Sequence, residues 1–150
     1  MITRKEFCVA AGIAGFTALS GFRPEALFAE DLSKFENAVK EVTGSNASDI
    51  KDSDAVSMNV PEVAESGANV AVAVEIKMPV EQVKSVHIFV EKNPFPYIIG
   101  ATFSKTSGIA FVEGRVRFAS SSAIRAIAIL NDGSVIQSRK EVKVSVGGCG

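Results

Sequence analysis

The chain has 150 residues, with 16 Lys and Arg against 17 Asp and Glu, for a net charge of −1. That length supports one domain with a real core and is short for two. No Lys/Arg run is present, which argues against a nucleic-acid partner. Apolar residues make up 47%, mostly Val, Ile and Ala, with no Trp and one Tyr. This is the composition of a globular, strand-rich chain and not of a disordered one.

The first 29 residues read as an export signal. Arg4 and Lys5 form a positive start, an interrupted apolar run extends from Cys8 to Phe22, and Leu27-Phe28-Ala29 precedes the acidic Glu30-Asp31. The run is about 15 residues, short of the roughly 20 that a spanning helix needs, so no membrane anchor is expected. Thr3-Arg4-Lys5-Glu6-Phe7 resembles a twin-arginine signal with Lys in place of the second Arg. Cleavage is placed after Ala29. Cys8 then leaves with the signal, and Cys149 becomes the single thiol of the mature chain. An odd cysteine in an exported protein means a free reactive thiol or an intermolecular disulfide.

Residues 30–146 are expected to form the folded domain. Leu32, Phe35, Val39 and Val42 recur at helical spacing, which predicts a helix over 31–43 with Asp31 as N-cap and Gly44 as the stop. Residues 45–54 are polar and linker-like. From Ala55 the period becomes two. Val56, Met58 and Val60 make one strand, ended by Pro61, and Glu65-Ser66-Gly67 is a turn. Val70, Val72, Val74, Ile76 and Met78 make the strongest strand, and Val86, Ile88 and Val90 another. Asn93-Pro94-Phe95-Pro96 breaks the chain into a loop. Residues 109–118 and 124–130 follow as strands, then Asn131-Asp132-Gly133 as a hairpin turn. Val135 and Ile136 begin the return, and Val142, Val144 and Val146 form a last strand. About seven short strands with turns between them imply a mostly β antiparallel sandwich with an N-terminal helix.

Most enzyme signatures are missing: no phosphate-binding loop, no dinucleotide fingerprint in 30–150 and no nucleophile elbow. Neither cofactor nor metal is expected, since one His and one Cys in different elements make a poor ligand set. His87 faces away from Val86, Ile88 and Val90. A catalytic pair with Cys149 is conceivable, and a surface or edge histidine is the simpler reading. Arg115 and Arg117 share a strand face, which is read as the solvated side of an edge strand.

The exception is Gly147-Gly148-Cys149-Gly150. A cysteine flanked by glycines after a strand has no neighbouring side chains to hold it. Residues 147–149 span roughly 10 Å when extended, at about 3.3–3.6 Å per residue. A free cysteine has a pKa of about 8.5, and no cation in the tail is present to activate this one. A carrier, activated by each enzyme it visits, fits this better than a self-sufficient nucleophile.

At this tail the sequence resembles the SoxY family, sulfur-carrier subunits of the Sox thiosulfate-oxidising system. The similarity also covers Val60-Pro61-Glu62-Val63-Ala64-Glu65-Ser66-Gly67-Ala68, Val90-Glu91-Lys92-Asn93-Pro94, Arg115-Val116-Arg117, Asp132-Gly133 and Lys140-Glu141-Val142-Lys143-Val144. The family typically ends Gly-Gly-Cys-Gly-Gly, and this chain has one glycine fewer after the cysteine. The resemblance implies an immunoglobulin-like sandwich, a SoxZ partner and a periplasmic location. It also implies Cys149 as the covalent attachment point, with Gly147, Gly148 and Gly150 as a swinging arm. A c-type cytochrome, a sulfate-releasing hydrolase and further Sox enzymes would act on the bound sulfur in turn, and the carrier itself would not be an enzyme.

Two other readings compete. One is an exported β-sandwich interaction module whose cysteine is incidental. The other is a ubiquitin-like sulfur carrier using a terminal glycine carboxylate, which the export signal and the strand order oppose.

Overall fold

A computed structural model describes residues 25–146. Helix α1 (Glu25–Thr43) is followed by nine strands: β1 (Lys51–Asp52), β2 (Val56–Asn59), β3 (Val63–Ser66), β4 (Val70–Ile76), β5 (Val83–Val90), β6 (Tyr97–Thr102), β7 (Ala110–Val116), β8 (Ser122–Leu130) and β9 (Val135–Val146). One sheet runs β1-β9-β8-β5-β6, with β3 also paired to β9, and the other runs β2-β4-β7. The result is a mostly β sandwich with one helix near its start, as the alternating pattern predicts, and it is immunoglobulin-like, as the family resemblance implies.

The two sheets enclose the main core. Val70, Val72, Val74 and Ile76 of β4 alternate inward, and Val86, Ile88 and Val90 of β5 meet them from the opposite sheet. The larger sheet is also covered on its other face. Phe35 and Val39 of α1, with Ala47 and Ile50, pack on Phe89 and Ile127. Phe35 and Phe89 meet edge to face at 6.1 Å. This second contact explains why β8 is buried almost continuously and shows no clean period of two.

Four expectations need correction. The helix begins at Glu25, so Asp31 lies inside it and is not its N-cap. Glu25-Ala26-Leu27-Phe28-Ala29-Glu30 contains strong helix formers, which extend the helix upstream of its amphipathic part. Gly44 does end it, at φ 74° with its N–H donating to the Lys40 carbonyl. Residues 45–54 are not a plain linker: Ala47 and Ile50 are buried and Lys51–Asp52 pairs with β9. Glu65 and Ser66 are the end of β3, not a turn, and the turn follows them. The expected return strand and last strand are one twelve-residue strand, β9.

Strand β6 carried no sequence signal of its own, because Gly100 interrupts it and it lies on an edge. Two pairings are parallel, β1 with β9 and β3 with β9, and both use short outlying strands. Gly133, at φ 89°, closes the β8–β9 hairpin where Asn131-Asp132-Gly133 predicts it.

Candidate functional site

Cys149, Gly147, Gly148 and Gly150 lie outside the described residues, as does the expected signal through Pro24, with Arg4, Lys5 and Cys8. What the structure defines is the platform from which residue 147 departs. Strand β9 ends at Val146, held from both sides. The Gly67 N–H donates to the Val146 carbonyl at 2.8 Å, and the Phe118 N–H donates to the Gly67 carbonyl at 2.7 Å. The Val144 N–H donates to Ser121 Oγ at 2.8 Å. Strand β3 runs parallel beside it, with Val63 opposite Lys143 and Ser66 opposite Val146.

The loop after β5 joins the same end of the sandwich. Asn93 is buried, and its amide makes two bonds to the segment after β7. Asn93 Nδ2 donates to the Arg117 carbonyl at 2.6 Å, and the Ala119 N–H donates to Asn93 Oδ1 at 2.9 Å. The Lys92 N–H donates to Ser122 Oγ, and the Val90 N–H to the Pro96 carbonyl. Asn93 thus ties a loop of one sheet to the end of the other. Sequence reasoning read only a chain break there; an amide side chain just before a proline was the available signal.

Two clefts border this end. One, of about 460 Å³, is lined by Val60, Glu62, Val63, Lys140, Glu141 and Lys143 along the β3–β9 seam. The other, of about 230 Å³, is mainly apolar and lined by Asn93, Pro94, Phe95, Ile98, Arg117 and Ala119.

An ion-pair network with Glu91 buried at its centre lies on the helix-covered face. Glu91 accepts from Arg125 Nε at 2.6 Å and Arg139 Nε at 3.0 Å, and Arg139 also pairs with Glu141. Arg125 and Arg139 are direct cross-strand neighbours, so Glu91 offsets a like-charge pair that would otherwise repel. Burial alone would raise the Glu91 carboxyl, but hydrogen bonds from Arg139 and Arg125, and their charges, hold it below its ordinary value. Arg125 also sits over the Phe35 ring at 4.9 Å, linking the network to α1. The separate positions of these residues in sequence gave no sign of their convergence.

His87 does not lie on an edge strand. It is half-buried on β5, between β8 and β6. Its Nε2 lies 2.9 Å from Ser85 Oγ and its Nδ1 3.2 Å from the Tyr97 hydroxyl. Burial lowers its pKa. Gly100 makes room for this arrangement: a Cβ there would meet the Tyr97 hydroxyl. The register excludes a His87–Cys149 pair within one chain. His87 pairs with Ile127, and Ile127 with Gln137, which is nine residues before Val146. That is about 30 Å along a strand at roughly 3.3 Å per residue, whereas Cys149 lies within about 10 Å of Val146. Arg115 and Arg117 are exposed at the β7 edge, as expected, with the Arg117 carbonyl engaged by Asn93.

Among the described residues, no group of three His, Cys, Asp or Glu side chains could hold a metal ion, and no helix is long and apolar enough to cross a membrane.

Fold and platform together define an immunoglobulin-like β-sandwich whose last strand ends, cross-braced, at Val146, just before the glycine–cysteine segment in sequence. The sequence profile described as "Sulfur oxidation protein SoxY" matches residues 39–149, so the match runs through Cys149. The chain belongs to the SoxY family. Among solved structures, the sulfur carrier protein SoxY from Chlorobium limicola f. thiosulfatophilum is similar at 27% identity. That match covers 80% of this chain and 99% of the other, with a TM-score of 0.67. A candidate superoxide reductase from Thermotoga maritima shares the fold at 16% identity and TM-score 0.53, covering 67% of this chain and 98% of its own. No curated protein matches the chain.

Proposed function

We propose that this protein is a covalent carrier of sulfur intermediates in periplasmic thiosulfate oxidation, with Cys149 as the attachment point. The observation that carries the reading is a family match that extends through Cys149, three residues past a strand end braced by Gly67, Phe118 and Ser121. A thiol on Gly147 and Gly148 has little steric bulk around it and suits narrow channels in several enzymes. The chain itself supplies position, not turnover.

The cycle implied by the family balances as follows. A c-type cytochrome joins the outer sulfur of thiosulfate to the Cys149 sulfur. One S–S bond forms, the thiol proton is released, and two electrons pass to the cytochrome. A hydrolase then adds water to the resulting S-thiosulfonate, releasing sulfate and protons and leaving the outer sulfur on Cys149 as a persulfide. Later enzymes remove that sulfur. SoxZ is the proposed structural partner.

Export with residues 1–29 as the signal belongs to the same reading. Helix α1 crosses the proposed junction at Ala29, but its anchoring side chains, Phe35 and Val39, lie beyond it. Cleavage therefore leaves Phe35 and Val39 and their packing in place.

The test is the intact mass of the mature protein from cells supplied with thiosulfate, with and without reductant. A reductant-sensitive sulfur or thiosulfonate adduct on Cys149 is expected, and Cys149→Ser should abolish it while leaving the fold unchanged. A bare thiol in the presence of the full enzyme set, or thiosulfate oxidation unaffected by Cys149→Ser, would instead favour an interaction module with an incidental cysteine.

A further inference from the structure

We infer that Phe95 is a docking anchor for the enzymes that load and unload Cys149; this rests on the carrier reading above. Phe95 is 83% exposed, the most exposed large apolar side chain among the described residues. It is also firmly held. Pro94 and Pro96 flank it, so both fix their own φ and restrict Asn93 and Phe95 before them. Asn93 is clamped by its two hydrogen bonds to the Arg117 carbonyl and the Ala119 N–H, and the loop closes through the Val90 N–H to the Pro96 carbonyl. A solvated phenyl ring on a braced backbone contributes nothing to the core. The loop that carries it loses little backbone freedom when a partner covers it, which favours an interface hot spot. The mainly apolar cleft of about 230 Å³ beside it, shared with Pro94 and Ile98, offers the partner a complementary notch.

Position decides the occupant. Asn93 bonds to Ala119, Phe118 to Gly67, and Gly67 to Val146. Phe95 shares a cleft with Arg117 and Ala119, Phe118 is the next residue in the chain, and the two strand-to-strand steps of about 5 Å from Phe118 to Val146 then put Phe95 roughly 20 Å from the strand end. Cys149 lies within about 10 Å of that same strand end. A standard interface covers about 800 Å² per partner, a disc of about 16 Å radius. An enzyme that admits the thiol centres its contact within the arm's reach of Val146, about 10 Å, and a contact of ordinary size on the side of the Asn93 loop then extends to Phe95. Phe111, also an exposed phenylalanine, lies seven residues before Phe118, about 23 Å along the strand, and falls outside such a footprint. The partner is therefore an enzyme with an apolar recess beside a narrow channel mouth.

The experiment compares wild type, Phe95→Ala, Phe95→Leu, Phe111→Ala and Cys149→Ser, each as the mature complex with its partner subunit. The readouts are thiosulfate coupling by the c-type cytochrome, alkylation of Cys149 by iodoacetamide without enzyme, Tm and subunit affinity. Phe95→Ala should raise KM for the carrier about ten-fold or more, with kcat, alkylation rate, Tm and subunit affinity unchanged. Phe95→Leu should retain part of the affinity, and Phe111→Ala should match wild type. The inference is overturned if Phe95→Ala leaves KM unchanged while Cys149→Ser abolishes coupling, an outcome that leaves the carrier reading intact. It is also overturned if subunit affinity falls in step with KM, which would assign Phe95 to the seam between subunits. Coupling that persists in Cys149→Ser removes the carrier reading and this inference with it.

Discussion

Glu91 shows how one buried charge organises three strands. It follows β5 directly and draws Arg125 of β8 and Arg139 of β9 onto one carboxylate. Removing that carboxylate leaves two facing guanidinium groups, Arg125 mostly buried, without their shared partner. Glu91→Gln should therefore destabilise the fold by about 2–4 kcal/mol, read from denaturant unfolding at neutral pH. The pH dependence has a defined sign. Because the folded pKa is depressed, the stabilisation is complete above the ordinary Glu value of 4.5 and is lost as pH falls through the lower folded value. Wild-type Tm should drop steeply below that pH, and the Glu91→Gln curve should be flatter over the same range. Parallel curves would show that the ion pairs carry no pH-linked stability.

Among the elements, α1 is the one whose boundaries and role separate. Residues 29–34 are largely exposed, while Phe35 and Val39 seal the outer face of the larger sheet. Phe35→Ala should cost about 3–5 kcal/mol, because it empties a site between Phe89 and the Arg125 guanidinium. A chain beginning at Glu30 should unfold within about 0.5 kcal/mol of the full-length protein. A large loss on that truncation would mean that the first turns carry packing of their own and would count against cleavage after Ala29. The amphipathic spacing in 32–42 made the helix legible in sequence. Its start was misread because Asp31 is a good N-cap type in the middle of a run of good helix formers.

Across the whole molecule, the coupling between the two sheets at the end where β9 stops depends on Asn93. Asn93→Ala removes the hydrogen bonds that Asn93 makes to the Arg117 carbonyl and the Ala119 N–H and should cost about 1–3 kcal/mol. Hydrogen exchange should then quicken at Ala119 and Phe118, with β4 and β8 unaffected. Unchanged exchange at those amides would mean that the loop does not brace the platform. The same clamp braces the backbone that carries Phe95, so its loss should also weaken docking of the loading enzymes.

Local signals determined what depends on neighbours in the chain. The alternation in β4 and β7, the hairpin at Asn131-Asp132-Gly133, the stop at Gly44 and the glycine-flanked Cys149 were all readable from residue order. These features depend on backbone preference and period, which are short-range. Tertiary structure decided what depends on registers between distant strands. It merged the return strand and the last strand into one β9 and recruited Lys51–Asp52 and Val63–Ser66 as its parallel neighbours. It also separated His87 from the reach of Cys149, assembled Glu91, Arg125 and Arg139 on one face, and brought the Asn93 loop to the strand end from which Cys149 departs. Pairing register places residues tens of positions apart side by side, and no window along the sequence contains that information.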